Sequence, residues 1–240
     1  MKTIGILGGM GPLATADLFR KIITLTDAES DNEHIEIIVE NNTKIPDRTD
    51  YIINNGDDPT KHMIKSAIRL EMMGVDVIVM PCNTAHYFYD EIIKYIDIPF
   101  MNMIVETAKK TKQLYPDTKK IGLLATKGTC KAGIYDKIFE EYDLELVKPG
   151  DVHQKHVTEL IYDIKKGKTD IDLTNFRGTL DELKKQEAEV FILGCTELPV
   201  AFQMFNIDEE CIDPTKILAC SAIEFVGKNI KGDVSEIHSF

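Results

Sequence analysis

The chain has 240 residues, of which 43% are hydrophobic and 8% aromatic, and its formal net charge is −12. This composition is typical of a globular protein and excludes a disordered or fibrous chain. Because an acidic surface repels phosphate backbones, the charge argues against a nucleic-acid partner, and an anionic substrate would need a local basic site.

Short apolar runs alternate with longer amphipathic stretches along the chain. Apolar strands separated by helices are typical of a parallel sheet covered on both faces, so the predicted fold class is α/β. The apolar runs predict strands at residues 3–7, 35–40, 75–80, 121–124, 144–147 and 190–193. The amphipathic stretches predict helices at residues 14–26, 59–73, 153–165 and 175–186.

Segments of the first half recur in the second half in the same order. KTIGIL at residues 2–7 is echoed by KKIGLL at 119–124, and VDVIVMPCNT at 75–84 is echoed by AEVFILGCTE at 188–197. These echoes predict a duplicated α/β unit. No linker rich in Pro, Gly or Ser separates the halves, so we expect them to pack closely.

Two of the five cysteines directly follow apolar strands. Ligands gather beyond the carboxyl ends of parallel strands, and a thiol at a helix N-terminus has a lowered pKa. Cys82 and Cys195 occupy such positions in the two halves, which predicts one thiol on either side of a shared cleft. This geometry suits removing a proton from one face of a carbon and delivering one to the other face. The other cysteines are expected to pack in the core: Cys130, Cys211 and Cys220.

The number and spacing of the cysteines indicate a reducing compartment. Their number is odd, no CxxC pair is present, and the N-terminal residues do not have the pattern of a signal peptide. No run of apolar residues is long enough for a transmembrane helix. We therefore expect a cytoplasmic protein with free thiols and no membrane partner.

Five motifs run from the first strand to the last helices. They are GILGGMGP at residues 5–12, IPDRT at 45–49, PCNTAH at 81–86, LLATKGT at 123–129 and GCTEL at 194–198. In this order they closely resemble the aspartate racemase branch of the aspartate/glutamate racemase superfamily. The resemblance covers essentially the whole chain.

The resemblance implies two similar α/β domains related by a pseudo-twofold axis, with the active site in the cleft between them. It implies that the C-terminal segment returns to the first domain, which would comprise residues 1–100 and 210–240, with residues 101–209 as the second. It also implies a homodimer and no pyridoxal phosphate or other cofactor.

The activity implied by the resemblance is interconversion of L- and D-aspartate, or of the glutamate enantiomers, by a thiol and a thiolate. Cys195 would remove the α-proton of the L isomer and Cys82 that of the D isomer. Without an electron sink, hydrogen-bond donors must stabilise the charge that builds on the α-carboxylate. The expected donors, which could equally cap helices, are Asn83, Thr84, Thr126 and Thr196.

The distal carboxylate of an acidic substrate needs cations. Arg48 matches the family's side-chain anchor, and a guanidinium fork suits a carboxylate. A second family cation precedes a glycine, which leaves Lys165 and Lys166 open here, with Lys165 in the preferred register. The resemblance adds Met10 of the opening loop to the substrate-binding residues.

Two further residues stand close to the thiols in sequence. His86 lies one helical turn after Cys82, and Glu197 lies two residues after Cys195. Either could orient its thiol or tune the thiol's pKa, and His86 could equally be a structural residue with satisfied hydrogen bonds.

Other functions compete with this interpretation. Gly9, Gly11 and Ala14 fit a dinucleotide fingerprint, with Glu40 as the acid that ends the second strand. That hypothesis leaves both cysteine motifs unexplained. Hydantoin racemases and maleate isomerases, within the same superfamily, also use cysteine pairs on small molecules.

Two other classes need no thiol chemistry. Cys82 and His86 have helical spacing and could join Cys195 in a zinc site, although no fourth ligand is apparent. A non-catalytic amino-acid sensor could keep the fold. The intact thiols argue against a sensor.

Overall fold

The structure is a computed structural model and describes residues 2–232. Within this range, the strands form two separate sheets in which every pairing is parallel. All six predicted strands are present, and one two-residue strand was not predicted. The strands are β1 (Ile4–Gly8), β2 (Ile37–Asn41), β3 (Val77–Val79), β4 (Lys120–Ala125), β5 (Glu145–Val147), β6 (Val190–Gly194) and β7 (Cys211–Ile212).

The helices cover both faces of the sheets. All four predicted helices are found, with ends that differ by at most two residues. The helices are α1 (Pro12–Leu25), α2 (Arg48–Asn54), α3 (Thr60–Met72), α4 (Tyr89–Ile92), α5 (Met103–Leu114), α6 (Lys127–Ala132), α7 (Ile134–Glu140), α8 (Asp151–Lys165), α9 (Thr174–Lys185), α10 (Glu197–Met204) and α11 (Pro214–Phe225). Short 3-10 turns occupy Asp31–Glu33, Thr84–Phe88 and Ile93–Tyr95.

The two sheets share one strand order. The first has the order β2-β1-β3, and Phe100 extends it by a single parallel bridge to Ile78. The second has the order β5-β4-β6-β7. Phe100 and β7 therefore occupy equivalent edge positions in the two sheets. Phe100 pairs with β3, which leads to Cys82, and β7 pairs with β6, which leads to Cys195. This repeated order confirms the predicted α/β fold with two similar halves.

Helices α5 and α11 lie between the sheets and join their cores. Met103 of α5 packs with the first sheet, and its neighbour Ile104 packs with the second. In α11, Leu218 packs with the first sheet and Ile217 with the second. Burying an apolar side chain of this size stabilises a fold by about 1.5–3 kcal/mol. The shared apolar layer therefore holds the two halves together.

The segment after β6 contacts both halves. β7 hydrogen-bonds to β6 and so belongs to the second sheet, whereas most buried residues of α11 pack against the first. The predicted domain boundaries near residues 100 and 209 stay a prediction. The final residues of the predicted first domain, 233–240, lie outside the described residues.

One contact between the halves brings the loops at the strand ends together. Helix α2 of the first half packs on helix α6 of the second. A Cβ atom on Gly128 would lie 2.7 Å from Thr49 Oγ1, so only a glycine allows this close approach. The contact places Arg48 and Thr126, at the starts of these two helices, beside the same cleft.

Candidate active site

A cleft of about 420 Å³, including solvent at its mouth, lies between the halves. Strands β1, β3, β4 and β6 each lead into loops that line it, as expected for a ligand site in parallel sheets. Every predicted site residue except His86 lines this cleft. The lining residues are Met10, Asp47, Arg48, Thr49, Cys82, Asn83, Thr84, Thr126, Tyr162, Lys165, Gly194, Cys195, Thr196 and Glu197.

The two thiols are buried to a similar degree but have different partners. Cys82 is 8% exposed and Cys195 is 7% exposed. The Cys195 thiol donates a hydrogen bond to Glu197 Oε2 at 2.9 Å. Within residues 2–232, no group forms a hydrogen bond with the Cys82 thiol. The two thiols therefore differ in hydrogen bonding, although they are similarly buried.

The environment of Cys195 favours the protonated thiol. Burial raises its pKa well above the usual value, and the charge of the Glu197 carboxylate raises it further, while Lys165 opposes the rise. The lowered pKa expected from a helix N-terminus is therefore wrong for Cys195. Burial and an adjacent carboxylate together raise the pKa of this thiol.

Lys165 supplies a cation to the same end of the cleft. Its Nζ lies 4.0 Å from Glu197 Oε1 and 5.4 Å from the centre of the Tyr162 ring. Burial lowers the pKa of Lys165, but the neighbouring groups Cys195, Glu197 and Cys82 raise it by more. Lys165 is therefore charged. Lys166 lines a different groove, so the structure brings Lys165 and not Lys166 to the cleft.

Arg48 is fixed by backbone carbonyl groups. Its Nη1 donates to Pro46 O at 2.8 Å and to Ile45 O at 3.4 Å, and its Nη2 donates to Met10 O at 3.2 Å. Its Nε is buried and has no partner among the described residues. No carboxylate of the described residues pairs with Arg48, so its positive charge is available to a ligand.

Three hydroxyl groups join the halves beside the cleft. Thr84 Oγ1 lies 3.1 Å from Thr126 Oγ1 and 2.8 Å from Thr129 Oγ1. Thr126 also accepts a hydrogen bond from the Thr129 amide at 3.1 Å, so it caps α6 as well as lining the cleft. The capping role and the binding role expected for Thr126 are therefore compatible.

The remaining predicted donors, Thr196 and Asn83, differ in whether they already have a hydrogen-bond partner in the protein. Thr196 Oγ1 donates to Glu197 Oε2 at 3.2 Å. Asn83 is 3% exposed, and its Nδ2 is buried without a partner among the described residues. A buried amide donor without an acceptor is costly, so a hydrogen bond from Asn83 Nδ2 to an anionic ligand would be favourable.

His86 acts on the backbone and does not reach the Cys82 thiol. Its Nδ1 lies 2.9 Å from Cys82 O, and its Nε2 accepts a hydrogen bond from the Met103 amide at 3.1 Å. Because Nε2 accepts, Nδ1 carries the proton and donates. Burial lowers the pKa of His86 to about 4, so the ring is neutral. His86 thus links the loop of Cys82 to the start of α5.

Several cleft residues were missed from the sequence. Asp47, Thr49 and Gly194 stand inside matched motifs, next to residues that were singled out. Tyr162 lies three residues before Lys165 on α8, and this spacing on one helix face was the available signal. Thr129 is the last residue of the matched motif LLATKGT, but its contact with Thr84 depends on how the halves pack.

The features that favoured a nucleotide have structural explanations. Gly9 has a φ of +93°, and a Cβ there would lie 2.3 Å from the Asn42 backbone. Glu40 forms an ion pair with Arg69 at 2.8 Å. These contacts account for Gly9 and Glu40 without a dinucleotide.

The metal hypothesis needs His86 beside both thiols. Both ring nitrogens of His86 are engaged with backbone groups instead. Within residues 2–232, no three side chains of the types His, Cys, Asp and Glu are grouped to hold a metal ion.

Comparison with known proteins identifies the family. The model of the family described as Asp/Glu/Hydantoin racemase matches residues 7–222, which is most of the chain. The chain belongs to this racemase family. The match spans both halves of the cleft and both cysteine motifs.

The most similar relatives include a broad-specificity racemase and an aspartate racemase. This racemase is 31% identical over 224 residues to the broad specificity amino-acid racemase RacX of Bacillus subtilis, covering 92% of this chain and 96% of that protein. It is similar to the aspartate racemase of Picrophilus torridus, with a TM-score of 0.84, 32% identity and 96% of each chain covered.

A third similarity is to an aspartate racemase homologue from Pyrococcus horikoshii, with a TM-score of 0.76 and 27% identity over 94% of this chain and 99% of that one. These findings confirm the predicted family and the predicted class of enzyme, an amino-acid racemase. Among the described residues, no helix combines the length and hydropathy needed to span a membrane.

Proposed function

We propose that this racemase interconverts the enantiomers of an acidic amino acid, foremost aspartate, with Cys82 and Cys195 as the two proton-transfer groups and without a cofactor. The single observation that carries the proposal is the pair of thiols, one from each half, on a cleft that also holds two cations. The thiols serve the proton transfer, and the cations serve a substrate with two carboxylates.

The reaction is a proton exchange at one carbon. A thiolate removes the α-proton and becomes a thiol, and the electron pair left behind is delocalised into the α-carboxylate. The opposite thiol then donates its proton to the other face of the carbon and becomes a thiolate. No atom is gained or lost overall, and the proton positions on the two sulfurs are exchanged.

Charge on the α-carboxylate must be stabilised while the proton is absent. Asn83 Nδ2 is a buried donor without a partner, and the hydroxyls of Thr84, Thr126 and Thr196 line the same cleft. Fixed donors in a buried site stabilise developing charge strongly, because they need no reorganisation during the reaction. These four residues are the proposed α-carboxylate site.

The distal carboxylate would be held by Arg48 and Lys165. Both line the cleft, Arg48 has no carboxylate partner, and Lys165 is charged. These two cations favour an acidic amino acid over a hydantoin, which has no carboxylate. Met10 supports this site by accepting a hydrogen bond from Arg48 through its carbonyl group.

The two thiols would have different resting states. Glu197 holds Cys195 as the protonated thiol, so Cys195 is the proposed acid of the resting enzyme, and the role of base falls to Cys82. With the assignment that the family implies, this resting form accepts the D isomer. When Cys195 later acts as the base, Lys165 would stabilise its thiolate.

The substrate range is tested by a panel of L- and D-amino acids in deuterated water, with no added cofactor. We expect deuterium at the α-carbon of aspartate, less at glutamate and little at alanine or lysine. Equal exchange into neutral and acidic amino acids would instead favour a broad-specificity enzyme like the Bacillus subtilis relative. The homodimer and the cytoplasmic location stay predictions.

A further inference from the structure

Tyr135 forms a hydrogen bond across the boundary between the halves. It lies on α7 of the second half, is 0% exposed, and donates from its hydroxyl to Asn83 Oδ1 at 2.5 Å. Asn83 belongs to the first half and lines the cleft. The contact therefore links the packing of the halves to a side chain of the proposed α-carboxylate site.

The length of this bond fixes the orientation of the Asn83 amide. A separation of 2.5 Å is within the range of O–H···O bonds and is too short for N–H···O bonds. The atom that faces Tyr135 is therefore Oδ1, and Nδ2 faces away from it. Nδ2 is buried and has no partner among residues 2–232.

Tyr135 is suited to be a permanent donor. Burial raises the pKa of its phenol well above the usual value, and the nearby groups Asp213 and Cys195 raise it further. The hydroxyl therefore keeps its proton at neutral pH. A reversed Asn83 amide would place its NH₂ group against this hydroxyl and its oxygen toward the substrate carboxylate.

We propose that Tyr135 is a positioning residue for racemisation, because it holds the Asn83 amide with Nδ2 directed to the α-carboxylate of the substrate. This inference rests on the proposed function. It adds that the donor is oriented only when the two halves are packed together. Because charge on the α-carboxylate grows as the α-proton leaves, Tyr135 acts mainly on kcat.

The experiment measures racemisation of L- and D-aspartate by the full chain and four variants. For Asn83→Ala, we expect kcat to fall about 100-fold, as for loss of one oxyanion donor. For Tyr135→Phe, we expect kcat to fall about 10-fold with little change in KM, since the donor is present but no longer held. Tyr115→Phe is the matched control, because its hydroxyl binds Glu210 away from the cleft.

The double variant separates positioning from a general structural role. If Tyr135 acts through Asn83, then Tyr135→Phe combined with Asn83→Ala has the same kcat as Asn83→Ala alone. If the two losses multiply, or if Tyr135→Phe keeps the kcat of the wild type, the inference is overturned. Wild-type protein that exchanges no amino acid would overturn the proposed function and this inference together.

A further variant covers the case in which Tyr135→Phe does not fold. Asn83→Asp keeps an acceptor for the Tyr135 hydroxyl but replaces the Nδ2 donor with an oxygen. The buried carboxylate should lower the unfolding temperature, and in the folded protein we expect kcat to fall at least about 100-fold. Wild-type kcat in Asn83→Asp would overturn the inference by itself.

Discussion

The two ends of the cleft have the same backbone plan and different electrostatics. Cys82 and Cys195 follow equivalent strands in sheets of the same order and are buried to a similar degree. Among residues 2–232, the Cys195 thiol has a carboxylate partner and the Cys82 thiol has none, and that carboxylate also lies 4.0 Å from Lys165. The duplicated fold therefore determines where the thiols lie, and Glu197, which differs between the halves, favours the protonated form of Cys195.

This difference has a consequence for a reaction that runs in both directions. A racemase that uses two thiols needs one thiolate and one thiol at the start of each turnover. If both ends were alike, neither protonation state would be preferred. Glu197 distinguishes the two thiols by accepting a hydrogen bond from Cys195, and in the proposed mechanism Lys165 would stabilise the thiolate that forms on Cys195 later.

The largest effect is expected from removing the thiol at the first end. Cys82→Ala leaves one face of the α-carbon without an acid or base, so racemisation of aspartate should fall by about 10³-fold or more. Cys220→Ala is the matched control, since Cys220 is 8% exposed but packs in α11 outside the cleft lining. Normal racemisation by Cys82→Ala would contradict the two-thiol account.

The next effect concerns the cation of the first half. Arg48→Lys keeps the charge but loses the planar fork, so KM for aspartate should rise about 100-fold with a smaller change in kcat. Arg69→Lys, in a surface ion pair with Glu40, is the control. An unchanged KM would remove Arg48 from the substrate site.

A smaller effect should expose the asymmetry directly. Glu197→Gln removes a negative charge that raises the pKa of Cys195, so that pKa should fall. Cys195 would then lose its proton at lower pH, which moves the alkaline limit of D-to-L turnover to lower pH. It would also favour Cys195 as the base in the L-to-D direction.

The measurement is the pH profile of kcat in each direction, with thiolate absorbance as a second readout. We expect the ratio of the two kcat values at neutral pH and saturating substrate to change about 10-fold toward the L-to-D direction. The KM values must change by the same ratio, because the equilibrium constant of a racemisation is 1. Glu209→Gln, which breaks a surface pair with Lys184, should leave both profiles unchanged. Unchanged profiles in Glu197→Gln would contradict the asymmetry.

The smallest effect on turnover is expected for His86, whose role is in the fold. Its pKa is about 4 in the folded state and near 6.5 when unfolded, so the unfolded state binds more protons between these values. Stability from the neutral ring is complete above pH 6.5 and falls by about 3 kcal/mol as the pH approaches 4.

Urea unfolding at several pH values tests this role. His86→Gln should be less stable than the wild type at pH 7.5, and the difference should shrink by pH 4.5. His62→Gln, at an exposed position on α3, is the control and should follow the wild type. A stability difference that does not vary with pH would show that His86 is not held neutral in the fold.

The sequence predicted most of the fold and most of the cleft for an identifiable reason. Residues that follow an apolar strand, such as Cys82 and Cys195, are placed by local pattern alone, because parallel strands end at one edge of a sheet. β7 was missed because two residues give no periodicity. Tyr135 and Thr129 were missed because their contacts with Asn83 and Thr84 arise only when the halves pack.

The protonation state of Cys195 could not be predicted from the sequence pattern either. The motif GCTEL suggested a helix N-terminus, which lowers the pKa of a thiol. The burial of Cys195 and the distance between its sulfur and Glu197 reverse that effect, and neither quantity can be read from spacing.

The central claim is that two different thiols serve the two faces of the α-carbon, and early racemisation in deuterated water tests it most directly. The wild type is given L-aspartate and, separately, D-aspartate, and both enantiomers are analysed by mass at low conversion. The account predicts deuterium in the product enantiomer and almost none in the remaining substrate, because the opposite thiol delivers a solvent-derived deuteron. Equal deuterium in substrate and product from the first turnovers would indicate a single base and contradict it.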